Sequence, residues 1–261
     1  MRKLATFAIS LGFALASWPL ANHGALAAEA TGESQGASAN DWESWKPGNS
    51  VASLSSLQRG ARNFMGYCVG CHSLKYMRYS RMAADLKVSD ALLDKDLIQP
   101  GDNKNNYIIG SLAPADGEAW FGKAPPDLSL IARSKGTEYV YQFLKTFYSD
   151  PAAPTGVNNL ALPGTAMPHV LSELQGVQAA VFKSGEAAGE KEFVKFAPNV
   201  PGRLSAAEYD DFVRDTVNFL DYVGEPTQVQ RQSLGVWVVL FLLAFTGIAF
   251  LLKKEYWKDV K

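Results

Sequence analysis

The chain has 261 residues, 47% hydrophobic and 20% charged, with 25 Lys and Arg against 26 Asp and Glu for a formal net charge of −1. That balance excludes a disordered chain, which needs low hydrophobicity and high net charge, and a strongly basic nucleic-acid binder. Its 2 cysteines exclude a disulfide-dense scaffold, an all-cysteine zinc site and a cysteine-ligated iron–sulfur cluster, and the length allows one or two domains.

Residues 1–27 read as a signal peptide. Arg2 and Lys3 give a positive start, Leu4–Ala16 an apolar run, and Ala25-Leu26-Ala27 a small-x-small cleavage pattern. A first transmembrane helix is the alternative, but the run is short and is broken by Trp18-Pro19, Asn22 and His23. Export implies an oxidising compartment. Residues 30–50, rich in Gly, Ser and Ala with Asp41, Trp42 and Trp45, look like an extended leader. Leu54, Leu57, Ala61, Phe64, Met65 and Cys68 then recur at helical spacing, so a helix runs into Cys68-Val69-Gly70-Cys71-His72.

From Asp85 to Glu118 there are seven acids and three bases. This reads as a solvated face or as a docking surface for a basic partner, where charge mainly speeds encounter. Residues 100–136 and 150–168, rich in Pro, Gly and Asn, read as loops. Between them, Tyr139, Val140, Phe143, Leu144 and Phe147 mark a helix stopped before Pro151. Residues 184–203 read as a polar surface excursion. Ser205-Ala206-Ala207-Glu208 is a capping box opening a helix with Tyr209, Phe212, Val213, Thr216, Val217, Leu220 and Val223 inward, closed by Gly224 and Pro226.

Residues 232–252 carry no charge, and Leu234–Leu252 are almost wholly apolar. At ~1.5 Å per residue this stretch spans about 30 Å of hydrocarbon. Lys253, Lys254, Lys258 and Lys261 follow as a positive-inside flank, with Trp237, Tyr256 and Trp257 placed as interfacial aromatics. A buried core helix is the alternative. The expected topology is one membrane helix at 231–253, a cytoplasmic tail at 254–261, and the domain at 28–230 outside the cytoplasm. Residues 29–252 hold 19 bases and 24 acids, so that domain is acidic.

C-x-x-C-H is the attachment pattern for c-type haem. Two thiols add across the two vinyl groups of the porphyrin, and the adjacent imidazole swings under the iron. The expected cofactor is one haem c, bound through Cys68 and Cys71 with His72 as proximal ligand. A thioredoxin-like dithiol would want a strand and a βαβ context, a zinc site would need two further ligands, and a plain Cys68–Cys71 disulfide stays open. Low-spin electron-transfer haem takes a second strong ligand, often a Met thioether, which raises the potential. Of Met65, Met77, Met82 and Met167, the last suits the far side best. It lies in a Pro/Gly loop, Leu162-Pro163-Gly164-Thr165-Ala166-Met167-Pro168-His169, well removed from the tethering helix. His169 and the other methionines remain alternatives, and Met167 has a bland reading as a core gap-filler. Ala124-Pro125-Pro126-Asp127-Leu128 is a rigid segment suited to accept the second N–H of the proximal imidazole, with Pro126 as candidate, or else a surface turn. Arg133 suits a haem propionate or else a solvated helix end, and Tyr76, Arg78 and Tyr79 suit either the haem edge or a cover for the tethering helix.

With these residues in view the chain resembles the cytochrome c1 family, the haem subunit of ubiquinol–cytochrome c oxidoreductase (the bc1 complex), in its proteobacterial form. The carriers are Cys68–Tyr79, then Ala124-Pro125-Pro126-Asp127-Leu128-Ser129, then Ala166-Met167-Pro168, and the span ending Lys254-Glu255-Tyr256-Trp257-Lys258. The resemblance implies a mostly α c-type cytochrome domain with long loop insertions and one C-terminal transmembrane helix. It implies haem on Cys68 and Cys71, iron ligands His72 and Met167, and Arg133 and Tyr139 near the propionates. Several family members carry an additional disulfide, which this chain lacks the cysteines to form. The implied role is a non-catalytic electron-transfer subunit in the cytoplasmic membrane, with its haem domain on the periplasmic side. It would work with cytochrome b and Rieske iron–sulfur subunits, deliver electrons to a soluble or membrane-bound cytochrome c, contact membrane lipid but no nucleic acid, and sit in a dimeric complex. A membrane-anchored monohaem shuttle for another oxidase or reductase, and a haemless thiol–disulfide oxidoreductase, are the competing readings.

Overall fold

The computed structural model describes residues 41–184 and 191–259. The signal-peptide reading and most of the leader fall on residues 1–40 and lie outside the described residues.

In chain order, α1 (Leu54–Tyr67) leads into the cysteines, and β1 (Leu74–Arg78) follows them. Then come α2 (Tyr79–Leu86), α3 (Asp90–Leu92) and a π-helical turn at Leu93–Leu97, before β2 (Tyr107–Ile108) returns antiparallel to β1. Three short helices follow: α4 (Pro114–Phe121), α5 (Ile131–Lys135) and α6 (Thr137–Lys145). β3 (Phe147–Ser149) and β4 (Val157–Asn159) form a second antiparallel pair. After α7 (Ser172–Gln175), β5 (Gly176–Ser184) and β6 (Lys191–Pro201) form a third. α8 (Ala206–Gly224) and α9 (Gln228–Tyr256) end the chain.

The core is built on α1 against α8. Gly60 makes this possible. A Cβ there would stand 2.0 Å from the Asp215 carbonyl oxygen and 2.7 Å from Phe219 Cβ, so only glycine lets the two backbones meet. Phe64 and Phe219, both fully buried, pack with ring centroids 5.9 Å apart beside that contact. Asp215 is a buried carboxylate in the same interface. Arg59 Nε donates to it at 2.5 Å, Arg59 Nη2 at 3.1 Å and Ser56 Oγ at 2.6 Å, which satisfies a charge that would otherwise be costly to bury. The capping box is present as read: the Ser205 hydroxyl accepts from Glu208 N, and the Glu208 carboxylate accepts from Ser205 N at 2.9 Å. Those bonds hold the Glu208 carboxyl below its usual range.

Several local expectations give way to tertiary structure. The helix read through Phe147 stops at Lys145, because Phe147 pairs with Asn159 as the first residue of β3. The loop read at 100–136 holds β2, α4 and α5. The polar excursion read at 184–203 is largely β6, whose aromatic side pairs with β5. Phe182–Phe193 and Phe193–Phe196 ring contacts lie along that hairpin. Trp45, read as leader, packs 6.4 Å from Phe196 and receives the Lys145 ammonium at 4.5 Å from its ring centre.

α9 is long and apolar enough to cross a membrane, with mean hydropathy 2.5 over its most apolar window and none of that window buried. A core helix hides its apolar side chains. Here Leu234, Trp237, Phe241, Ile248 and Leu251 are all exposed, as a single-pass anchor requires.

Candidate haem attachment site

Cys68 caps the C-terminal end of α1, its N–H donating to the Phe64 carbonyl at 2.9 Å. The chain then turns tightly: Cys71 N donates to Cys68 O at 3.1 Å, and His72 N to the same oxygen at 2.8 Å. The two sulfurs are not joined to each other; Cys68 is half-buried and Cys71 exposed. Burial, with a smaller contribution from Cys71, pushes the Cys68 thiol up to about 12. Redox-active dithiols sit at helix N-termini with depressed pKa values. Cys68 lies instead at a helix C-terminus.

His72 is buried, and its Nδ1 lies 2.8 Å from the carbonyl oxygen of Pro126. A carbonyl only accepts, so Nδ1 carries the proton and Nε2 keeps its lone pair. Burial lowers the pKa of His72, against opposing contributions from the Pro126 carbonyl and Asp127, so the ring is neutral and fit to ligate.

The segment carrying Pro126 is fastened to the cysteine turn from both directions. Leu128 N donates to Ser73 O at 2.9 Å. The Asp127 carboxylate accepts from Lys75 N at 2.9 Å and Ser129 N at 3.0 Å, and the Ser129 hydroxyl accepts from Tyr76 N at 3.3 Å. A second strap crosses from residues 110–112. Gly110 N donates to the Ser73 hydroxyl at 2.8 Å, and Leu112 N to Gly70 O at 3.0 Å. A Cβ on Gly110 would lie 3.0 Å from Cys71 O and 3.1 Å from the His72 carbonyl carbon, so the strap lies flush against the motif. Gly110 escaped the sequence reading, and Asp127 and Ser129 entered it only as members of the Ala124–Ser129 segment, because a polar or small loop residue looks like a solvated turn until its partner is known.

The four described methionines divide clearly. Met77 and Met82 are buried in the core and Met65 packs against it, whereas Met167 is half-buried in a loop and takes no part in that cluster. His169, two residues on, stacks on Phe147 at 4.8 Å, with Nε2 buried and without a hydrogen-bond partner. Burial pushes its pKa down to about 4. Arg133 leans on the end of α8, its guanidinium 3.8 Å from Glu225. Tyr139 stacks on Phe143 at 6.3 Å. Tyr76 is exposed, Arg78 covers the Tyr107 ring at 4.1 Å, and Tyr79 is fully buried with its hydroxyl on Asp102 at 3.2 Å. Tyr79 therefore belongs to the core. In the acidic stretch, Asp85, Asp90 and Asp102 are engaged internally by Arg81, Lys104 and Tyr79.

The donor set fits a covalent porphyrin: two unjoined thiols spaced on one turn and a neutral imidazole with a free Nε2. Exposed apolar side chains, Ile109 and Leu130, adjoin the two straps beside it. Among the described residues, no cluster of three His, Cys, Asp or Glu side chains forms a metal site of its own.

A mostly helical domain that carries one C-x-x-C-H turn and ends in an apolar anchor helix is of the class of membrane-bound c-type cytochromes. The chain belongs to the cytochrome c1 family, whose model matches residues 51–178 and 203–260. It is 47% identical over 206 residues to cytochrome c1 of Allochromatium vinosum, covering 78% of this chain and 84% of that protein. It is 41% identical over 209 residues to the ammonia monooxygenase gamma subunit of Nitrosomonas europaea, covering 80% and 85%. A Bradyrhizobium diazoefficiens protein named cytochrome b/c1 is 27% identical over 271 residues, covering 87% of this chain and 38% of that longer protein. The function is that of the family, the electron-transfer subunit of the bc1 complex, with one covalent c-type haem. The β5–β6 hairpin falls mostly in the gap of the family match.

Proposed function

We propose that Cys68 and Cys71 would hold the haem, that His72 and Met167 would ligate its iron, and that this chain passes single electrons from a Rieske protein to a c-type cytochrome. The observation that carries this is the 2.8 Å contact from His72 Nδ1 to Pro126 O, which fixes the tautomer and aims the ring within the attachment motif. The haem supplies one-electron exchange at its iron. The chain supplies the rest. The Pro126 carbonyl makes the imidazole a better donor, and the Met167 thioether favours the reduced iron. Arg133 and Tyr139 would face the propionates, as the family resemblance implies. No side chain does acid–base work.

The working unit comprises this chain, cytochrome b and a Rieske protein in a dimeric complex. Domain limits are those of the sequence: a signal at 1–27, the haem domain at 28–230, the anchor at 231–253 and a tail at 254–261. Lys253, Lys254 and Lys258 after the anchor support a cytoplasmic tail and a periplasmic haem domain. Anchoring converts a diffusional search for the Rieske domain into a local one. The test is rapid-mixing reduction of this haem by ubiquinol in mildly solubilised membranes. Reduction should occur on the turnover timescale and vanish when the Rieske protein is removed. Undiminished reduction without it would overturn the route.

A further inference from the structure

We infer that Asn159 is the positioning residue that holds the Met167 loop shut, and so sets how firmly the Met167 thioether stays on the haem iron. This rests on Met167 being the sixth ligand.

The chain from the end of β4 to Met167 contains no helix or strand. Its own backbone bonds are few: Leu160 N to Thr146 O at 3.3 Å and Thr165 N to Leu162 O at 3.1 Å. The loop is instead gathered on one carboxamide. Asn159 is fully buried. Its Oδ1 accepts from Ala161 N at 2.9 Å, Leu162 N at 3.2 Å and Thr146 Oγ1 at 3.1 Å, and its Nδ2 donates to Phe143 O at 2.7 Å. Phe143 lies in the last turn of α6, where carbonyls lack helical partners. One side chain therefore ties the start of the loop to the end of a core helix. The neighbouring Asn158 Oδ1 accepts from Gly164 N at 2.8 Å, closer to the methionine. No cysteine pair is available to brace the loop instead.

A loop held this way has two states, thioether on and thioether off, and an added ligand reaches the iron only in the second. Its apparent affinity therefore scales with the open fraction. Removing the carboxamide deletes the bonds to Ala161 N and Leu162 N and takes their partner from the buried Thr146 hydroxyl and the Phe143 carbonyl, so the open fraction should rise ~10- to 100-fold.

The test uses the haem-loaded, detergent-solubilised full chain in its ferric form, titrated with imidazole. The iron–thioether charge-transfer band and the reduction potential are read alongside. Asn159→Ala should bind imidazole ~10- to 100-fold more tightly, with a weakened band and a lowered potential. Asn159→Asp keeps the acceptor oxygen and should fall between it and the parent. Asn218→Ala removes another fully buried carboxamide, one on α8 bonded to Ser50 and Ser56 and not to the Met167 loop, and should leave all three readouts unchanged. Parent-like imidazole affinity and band in Asn159→Ala overturn the inference, as does an equal change in Asn218→Ala. If Asn159→Ala does not accumulate with haem, the same parent-like result in Asn159→Asp overturns it. Met167→Leu run in parallel separates the two levels. An intact thioether band there removes the ligand assignment itself. A lost band, with Asn159 variants unchanged, removes only the role of Asn159.

Discussion

The two regions proposed to supply the iron ligands are built differently. The His72 side is a clamp: a helix end, a tight turn and two straps fastened to it by main-chain bonds and by the Asp127, Ser129 and Ser73 side chains. The Met167 side is a loop without secondary structure, held by two asparagine side chains and short turns. Covalent attachment needs one rigid face to present thiols and imidazole together. On the proposed assignment the potential would be tuned on the other face, by the Met167 thioether. Damage to the first region should therefore cost haem and stability, and damage to the second should cost potential and ligand exclusion.

The largest separation should come from Met167→Leu. Covalent haem is retained, while the potential falls by on the order of 0.1–0.3 V, within the ~0.8 V range that axial ligands set. Redox titration checks it, and a parent-like potential would break the contrast. On the clamp side, Asp127→Ala strands Lys75 N and Ser129 N. It should lower stability by about 1–3 kcal/mol in denaturant melts, with little change in potential. Gly110→Ala places a methyl 3.0 Å from Cys71 O and 3.1 Å from the His72 carbonyl carbon, so both must give way by a few tenths of an ångström. It should cost about 1–2 kcal/mol and reduce haem content per chain, measured by pyridine haemochrome. A Gly110→Ala protein with full haem and parent stability would show the strap to be loose.

Legibility in the sequence follows the same division. The C-x-x-C-H turn, the Ser205–Glu208 capping box and the anchor were readable because each is a local pattern of residue types at fixed spacing. The β5–β6 hairpin was not. Its register shifts between Val177 and Gln178 and again between Val181 and Phe182, which breaks the alternation that would have marked strands. Phe147 continued the apolar spacing of α6 and was drawn into the helix; pairing with Asn159 overrides that spacing. Met167 was singled out by its loop context, but the residues that hold the loop were not. The partners of Asn159 are set by the tertiary fold, and no spacing rule announces them.

A smaller, pH-dependent effect belongs to the helical frame that both regions share. Burial raises the pKa of Tyr209, whose hydroxyl donates to Leu144 O at 2.8 Å. It does the same for Tyr222, whose hydroxyl donates to Asp85 at 2.7 Å. A raised folded-state pKa means the unfolded chain loses these protons first. The stabilisation is therefore complete below pH ~10 and is lost as pH rises beyond it. Thermal midpoints should be flat through neutrality and drop above that pH. Tyr222→Phe should soften the drop, and a flat profile to strongly alkaline pH would contradict it.

The arrangement of iron between two unlike supports is tested most directly by near-infrared magnetic circular dichroism of the ferric wild-type protein, whose band position distinguishes axial ligand pairs. The expected result is the signature of one imidazole and one thioether, from His72 and Met167. A spectrum of two nitrogen ligands, as His169 in place of Met167 would give, contradicts it.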